Sequence, residues 1–131
     1  MSTTIGLSNP NGTINKSGRS AAGSTSEIEL ITAVTVPSGD EHHLTDVTFS
    51  VKKGAAGTIF RLYGRSSSAN PWTQIGEIEC GDYGSYTRSW DTSKKIPAGH
   101  QWRVTGQQDT AARMGIEVHG IAKNFDVRDY T

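Results

Sequence analysis

Several features that would assign a function at once are missing from this sequence. It has one cysteine, Cys80, in 131 residues, so an internal disulfide and a zinc site built on several thiolates are both excluded. It has no apolar run of about 18 residues, so we expect no membrane-spanning helix and no membrane partner. It lacks a basic start followed by an apolar stretch, so we expect no secretory signal.

Charge of one sign is also missing. The chain has 13 basic and 13 acidic residues, which gives a formal net charge of zero. A protein that binds nucleic acid through phosphate contacts shows a basic excess or a basic stripe, so we expect no nucleic-acid partner. The length suits a single domain.

What the sequence does contain is a series of short segments with β-strand character. β-Branched and aromatic residues alternate with polar ones, and clusters of Gly, Pro, Asn, Asp and Ser separate the segments. The predicted strands are residues 27–36, 44–51, 58–64, 72–80, 85–90, 101–106 and 114–122. A spacing of about 8–12 residues between strands is typical of an antiparallel sandwich or barrel. We therefore predict an all-β protein, a jelly-roll-like β-sandwich.

The two ends of the chain differ from the middle. Residues 1–26 have no aromatic side chain, carry only the charges of Lys16 and Arg19, and are mostly Ser, Thr, Gly and Asn. Such a segment buries too little apolar surface to offset its ordering entropy. We therefore predict an extended N-terminal arm over residues 1–26, a sandwich domain over 27–122, and a C-terminal tail over 123–131.

The histidine pair His42 and His43 does not predict a metal site. Adjacent residues of a strand point to opposite faces, so these two rings diverge instead of converging on one ion. Cys80 fits no nucleophile motif, and we expect a buried thiol. The sequence has no nucleophile elbow and no phosphate-binding glycine loop, so we predict no metal, no cofactor and no catalytic residue.

Two pairs of carboxylates are candidates for catalytic residues. Glu27 and Glu29 share one strand face, as do Glu77 and Glu79, and paired carboxylates are the residues that glycoside hydrolysis uses. The outward polar face of a half-buried strand explains both pairs directly. A sandwich of this length also leaves little room for a cleft, so we regard an enzyme as the weakest of the alternatives.

The aromatic residues of the middle segment leave two functions open. Trp102 alternates with Val104 and is predicted to lie in the core, whereas Tyr83 sits between glycines in a turn and is predicted to be exposed. Exposed aromatic side chains anchor protein interfaces, and they also stack on sugars. Residue type alone does not separate these two possibilities.

Three segments carry a resemblance to a known family: residues 95–104 (KIPAGHQWRV), 44–51 (LTDVTFSV) and 72–78 (WTQIGEI). Together with a polar N-terminal arm, they resemble the cement, or decoration, proteins of tailed-phage capsids, which are small jelly rolls. The resemblance spans about residues 27–122. It implies a non-enzymatic protein of the outer capsid surface, made in the host cytoplasm, that clamps neighbouring major capsid protein subunits as a homodimer or homotrimer.

From these observations we expect binding to rest on apolar and aromatic contacts, because a neutral chain gains little from long-range electrostatics. The candidate partner-binding residues are Ile5, Leu7 and Ile14 of the arm and Tyr83 of the glycine-flanked turn. The alternative function is a carbohydrate-binding or host-attachment module of a phage tail.

Overall fold

The computed structural model describes residues 12–52, 57–80 and 85–124, with only the backbone described at residues 85, 86, 91 and 92. Eight β-strands make up its regular structure: β1 (Gly12–Ser20), β2 (Ile28–Thr35), β3 (Asp40–Val51), β4 (Ile59–Arg65), β5 (Thr73–Glu79), β6 (Ser85–Ile96), β7 (Gln101–Gln107) and β8 (Met114–Asn124). In this part of the chain no helix is long and apolar enough to cross a membrane.

The strands form two four-stranded sheets whose paired strands are all antiparallel. Sheet A has the order β1-β8-β3-β6, and sheet B has the order β2-β7-β4-β5. The chain passes from one sheet to the other at every connection except the one between β4 and β5. Eight strands in two such sheets are a jelly roll, so the predicted fold class is confirmed.

The core lies between the sheets because alternate residues of each strand point inward. Trp102 and Val47 are 0 % exposed, and Phe49 packs against Phe60 with ring centroids 6.0 Å apart. The buried apolar residues are Ile14, Ile31, Val36, Leu44, Val47, Phe49, Val51, Phe60, Leu62, Ile78, Cys80, Ile96, Trp102, Val104, Met114, Ile116 and Val118. The predicted burial of Trp102 is confirmed.

Two tight turns hold one end of the sandwich together. Gly39 and Gly99 have φ angles of 86° and 79°, a region that favours glycine, and each lies in a Pro-x-Gly turn. The turns are joined through Val36, whose N–H donates to the carbonyl of His100 at 2.9 Å and whose carbonyl accepts from the N–H of Gly99 at 2.9 Å. The segment between β2 and β3 is thereby hydrogen-bonded to the turn that precedes β7.

The seven predicted strands all occur, but the sequence analysis was wrong about part of the arm. β1 lies inside the predicted arm of residues 1–26, and it pairs with β8 over its whole length, from Gly12 opposite Ala122 to Ser20 opposite Met114. Its backbone hydrogen bonds and the burial of Ile14 supply the stabilisation that the other side chains of this segment do not. The described sandwich therefore runs from 12 to 124, and residues 1–11 and 125–131 lie outside the described residues.

Candidate partner-binding interface

Four strands form the edges of the two sheets. β1 of sheet A and β2 of sheet B lie together on one side of the sandwich, and β6 and β5 lie on the other. Within the described residues, β1 pairs only with β8, and β2 pairs only with β7. The outer side of each of these edge strands therefore carries backbone N–H and C=O groups that no described strand pairs, and such groups can accept an additional strand.

The sequence brings β1 and β2 unusually close together. A Cβ atom at Gly18 of β1 would overlap the backbone carbonyl of Leu30 in β2, so only glycine fits there. β2 also has two register shifts, between Glu29 and Ile31 and between Ile31 and Val34, which are bulges or irregularities of its pairing with β7. Bulges bend and twist an edge strand. The first of these shifts includes Leu30, whose carbonyl lies against Gly18 of β1.

Two hollows follow this β1–β2 edge. Their volumes are about 420 and 360 Å³, and both are lined by Lys16, Val34 and Thr35. We call the pair the edge groove. Its full lining is Thr13, Ile14, Asn15, Lys16, Ser17, Leu30, Ile31, Thr32, Ala33, Val34, Thr35, Pro37, His42 and Ala122. Lys16 is the one charged residue of this lining when His42 is neutral.

His42 forms part of the groove lining while belonging to the core. Its side chain is buried, with 7 % exposed, and its Nδ1 accepts a hydrogen bond of 3.0 Å from Nε1 of Trp102. The ring stands edge-on to the indole, at 68° and 6.4 Å between centroids. Burial lowers the pKa of His42 below its ordinary value of 6.5, Asp40 opposes this shift and Lys16 adds to it, so the ring is neutral at pH 7.

The opposite edge of the sandwich is built differently. There the ring of Trp90 in β6 lies beside Gly76 of β5, where a Cβ atom would approach the ring to 3.1 Å. The ammonium group of Lys94 lies over the same ring, 5.7 Å from its centroid. A large aromatic side chain thus occupies the junction of β5 and β6, in contrast to the glycine at the junction of β1 and β2.

The four predicted partner-binding residues have different positions. Ile5, Leu7 and Tyr83 lie outside the described residues. Ile14 is described, and its side chain is 4 % exposed and packs in the hydrophobic core. In this monomer Ile14 therefore lies at the floor of the edge groove as a core residue, and a partner contact made by its side chain stays a prediction.

The predicted divergence of the histidine pair is confirmed. His42 points into the core, whereas His43 points outward and its Nε2 lies 2.7 Å from Oε1 of Glu41. Among the described residues, no group of three or more His, Cys, Asp or Glu side chains is placed to hold a metal ion. Cys80 is 6 % exposed, and burial raises the pKa of its thiol to about 12, so the thiol is neutral and unreactive at pH 7.

The paired carboxylates lie on the outer surface of sheet B, as the alternation predicts. Glu27, Glu29, Glu77 and Glu79 are all exposed. Three of them pair with arginines: Arg61 with Glu27 and Glu77 at 3.6 and 3.2 Å, and Arg103 with Glu29 at 3.2 Å. These contacts run from strand to strand across the sheet, so the pairs are explained as cross-strand surface ion pairs.

Glu27 is the most connected member of this surface network. Its carboxylate accepts hydrogen bonds from the hydroxyls of Tyr63 and Thr105 and lies near Arg61. Partial burial raises the pKa of Glu27, but the bonds from Thr105 and Tyr63 and the charges of Arg61 and Arg103 outweigh it, so the pKa is lowered from 4.5. The ionised form therefore stabilises the fold above about pH 4.5, and this contribution is lost as the pH falls through the lowered pKa.

Replacing Glu27 by Gln tests this contribution. Because the carboxylate is one-third exposed, solvent screens its charge, and we expect Glu27→Gln to lower the free energy of unfolding at pH 7 by about 1 kcal/mol or less. The difference from the native protein should be smaller at pH 3, below the ordinary pKa of 4.5, than at pH 7, in urea unfolding curves measured at both pH values. Glu79→Gln, an exposed carboxylate outside this network, serves as the control. An equal loss at pH 3 and pH 7 would contradict the electrostatic explanation.

The described aromatic side chains do not form an exposed strip. Trp102 is fully buried, and Trp72 is half-buried. The guanidinium of Arg65 lies 3.9 Å from the centroid of a Trp72 ring, and that of Arg103 lies 4.7 Å from it. Arg103 also lies 5.2 Å from the ring centroid of Tyr63. Cation–π stacking thus engages the rings of Trp72 and Tyr63 within the chain.

Comparison with known proteins adds evidence for the fold. No protein-family model and no curated protein matches the sequence. A subunit of Bacillus endospore appendages, which are disulfide-linked pili, is similar in structure: the identity is 13 %, the TM-score is 0.57, and the alignment covers 96 % of this chain and 98 % of that one. At this identity the likeness shows a shared fold.

Two viral proteins are more distant matches. A chain from a virus-like particle of the extra small virus of the prawn Macrobrachium rosenbergii is 11 % identical, with a TM-score of 0.40 and coverage of 95 % of this chain and 84 % of that one. A chain from an empty virus-like particle of cowpea mosaic virus is 10 % identical, with a TM-score of 0.38 and coverage of 90 % and 88 %.

The edge groove was not predicted from the sequence, and of the residues that line it only Ile14 was among the predicted partner-binding residues. Its walls come from β1 and β2, which lie next to each other only because the two sheets meet there, and one of its members, His42, is held by Trp102 from 60 residues away. A local signal did exist, since residues 12–20 alternate polar side chains with Ile14 and Gly18. That alternation was too weak to mark a strand without the pairing to β8.

Proposed function

We propose that this chain is a non-enzymatic structural protein of a phage virion, which binds the outside of the capsid and clamps neighbouring major capsid protein subunits. The observation that carries the proposal is the edge groove, which lies between two edge strands with unpaired outer sides. A partner that places an extended segment there is bound by backbone hydrogen bonds and by side-chain packing together.

The groove has the dimensions and chemistry for an extended protein segment. Residues 13–17 of β1 line the groove, and five residues of a strand span about 17 Å at the usual rise per residue. Val34, Leu30 and Ala122 give it apolar walls, and Lys16 supplies one positive charge. The charge and the apolar walls suit a segment with neutral or acidic side chains, and they do not suit a basic one.

The described chain begins and ends at the same end of sheet A, beside the groove. Gly12 lies opposite Ala122 and Asp40 lies opposite Asn124, while Thr13 and Ala122 line the groove. An extended segment of 11 residues reaches at most about 40 Å. We propose that Ile5 and Leu7 contact a second capsid subunit while the groove holds the first.

Many weak contacts acting together are sufficient for a clamp. Each buried aliphatic side chain contributes about 1.5–3 kcal/mol, whereas ordering the arm costs about 1–2 kcal/mol per residue. A single copy therefore binds weakly, and a homodimer or homotrimer on a symmetric shell binds more tightly through effective concentration. The aromatic stacking described above favours this function over the sugar-binding alternative, since it occupies Trp72 and Tyr63 within the chain.

The proposal predicts a change in the stability of the shell. A protein that binds only the assembled seam stabilises the assembled state, so shells that carry it should melt at a higher temperature than bare shells. The difference should survive moderate salt, because screening acts mainly on exposed charges. Scanning calorimetry of shells with and without the protein, at low and high salt, measures this, and equal melting in both cases would reject the clamp.

A matched pair of variants locates the contact. Ala33→Arg places a long charged side chain in the groove, and Gln74→Arg places the same side chain at an exposed position of β5 on the opposite edge. We expect the first variant to lose shell binding at least tenfold and the second to bind as the native protein does. Both should unfold at the native temperature.

A second candidate function is a subunit of a pilus-like filament. The near-complete coverage of both chains in the comparison with the endospore appendage subunit favours it. A filament of this chain would be non-covalent: with one cysteine per chain, a disulfide joins two copies and no more. Electron microscopy of the purified protein at high concentration, with and without reductant, distinguishes the candidates, since a filament subunit forms fibres without shells and a clamp does not.

A further inference from the structure

The hydrogen bond between His42 and Trp102 joins the two sheets in the core beside the edge groove. His42 belongs to β3 of sheet A, and Trp102 belongs to β7 of sheet B, where it pairs with Val34 of the groove wall. Trp102 is completely buried. Its indole N–H therefore has no access to water as an alternative partner, and leaving it unpaired is costly.

The direction of this bond fixes the protonation state of His42. An indole nitrogen only donates, so Nδ1 of His42 must be the acceptor and carries no proton. The neutral ring then holds its proton on Nε2. Protonation turns Nδ1 into a second donor, which faces the indole N–H, and the bond between the sheets is lost.

The surroundings of His42 do not compensate for a positive charge. Asp40, on its own strand, is the carboxylate that favours the charged ring, and Lys16 of β1 opposes it. The remaining described neighbours are uncharged: Ala122 of β8 and Ile96 of β6 beside it in sheet A, Trp102 of β7, and Val34 and Thr35 of β2. The lowered pKa of His42 agrees with this geometry.

We propose that His42 is a proton-sensitive latch of the edge groove, which holds β1 and β2 in their binding arrangement when neutral and releases them when protonated. The consequence for the partner rests on the proposed function: mild acid detaches the protein from its shell. The change in the groove itself does not depend on what the partner is.

The pH window follows from the sign of the shift. Since the folded protein binds this proton less readily than the unfolded chain, the stabilisation is complete above about pH 6.5 and is lost as the pH falls below it. The unfolding equilibrium constant should rise as the pH falls below 6.5, by at most about tenfold per pH unit, until the folded protein is protonated too. Carboxylates such as Glu27 act below about pH 4.5, so they do not contribute between pH 7 and 5, and comparison of His42→Gln with the native protein separates His42 from the other three histidines.

The test follows the native protein and two glutamine variants from pH 7.5 to 5. In nuclear magnetic resonance spectra of the native protein, we expect the indole N–H signal of Trp102 to shift with the same midpoint as the ring of His42, below 6.5. His42→Gln keeps an acceptor for Trp102 but does not titrate, so its stability should lose the part of the native pH dependence that His42 causes. His43→Gln, altered on the opposite face of the strand, should keep the native pH dependence.

Two results would overturn the latch: an indole signal that does not follow the His42 titration, or a pH dependence of stability that is the same in His42→Gln as in the native protein. Shell binding, measured at pH 7.5 and 5.5 by cosedimentation, separates the latch from the function. A protein that fails to bind at pH 7.5 contradicts the proposed function alone. Binding that is lost equally at pH 5.5 by the native protein and by His42→Gln contradicts the latch alone.

Discussion

A chain that lacks residues 1–20 is expected to have no cooperative unfolding transition, whereas a chain that lacks only residues 1–11 is expected to unfold like the full-length protein. The longer deletion removes β1, with its nine pairs to β8 and the buried side chain of Ile14. The shorter deletion leaves every described strand pair in place. The total stability of a domain of this size is about 5–15 kcal/mol, and losing an edge strand consumes much of it.

The physical cost of the longer deletion has two parts. Removing Ile14 from the core alone costs about 2–5 kcal/mol, as for other large aliphatic side chains. The deletion also leaves the backbone edge of β8 open, and β8 is in direct contact with the central strand β3. An exposed edge of this kind templates pairing with other chains, so we expect aggregation as well as instability.

Circular dichroism during thermal and urea unfolding measures both truncations. If the chain lacking residues 1–20 unfolded cooperatively at the native temperature, β1 would not be an integral strand. The shorter truncation has a second use, because it removes Ile5 and Leu7 and leaves the groove intact. We expect it to remain folded and to bind shells more weakly than the full-length protein.

Replacing Gly18 by Ala is expected to have the largest effect of any single methyl group added to β1. The new Cβ would overlap the backbone carbonyl of Leu30, which belongs to another strand and cannot rotate away as a side chain does. β1 and β2 must separate to admit it, and such overpacking costs about 1–3 kcal/mol, occasionally more. Because the same two strands form the edge groove, shell binding should fall along with stability.

Gly12→Ala is the matched control in the same strand. A Cβ at Gly12 would meet Ala122 Cβ at 3.7 Å, an ordinary van der Waals contact, so we expect stability and binding close to native. Urea unfolding of the two variants and of the native protein gives the comparison. Equal effects of the two substitutions would show that the approach of β1 to β2 is not as close as the structure has it.

The contrast between β3 and β1 explains how much of the fold is predictable from the sequence. β3 places Val47, Phe49 and Val51 on one face, and this alternation alone identifies a half-buried strand. β1 has the same alternation of faces. On the face that carries Ile14, however, it places Lys16 and Gly18 where a central strand places aliphatic residues. Its pairing with β8, almost a whole chain length away, makes it a strand, and no local pattern records that pairing.

The candidate interface was harder to predict for the same reason. The divergence of His42 from His43 follows from the two-residue period of a strand, and the sequence analysis derived it correctly. That His42 meets Trp102, and that both adjoin a groove, depends on how two sheets are stacked. Of the four residues predicted to make the contacts, Ile5, Leu7 and Tyr83 lie outside the described residues, and Ile14 is buried.

The central claim is that partners bind along the β1–β2 edge, and electron cryo-microscopy of shells carrying this protein tests it most directly. The account predicts copies over the seams between capsid subunits, each with an extended segment of a capsid subunit lying in the groove beside Lys16 and Val34. Copies attached through the β5–β6 edge or through the outer face of either sheet, with the groove open to solvent, would contradict it.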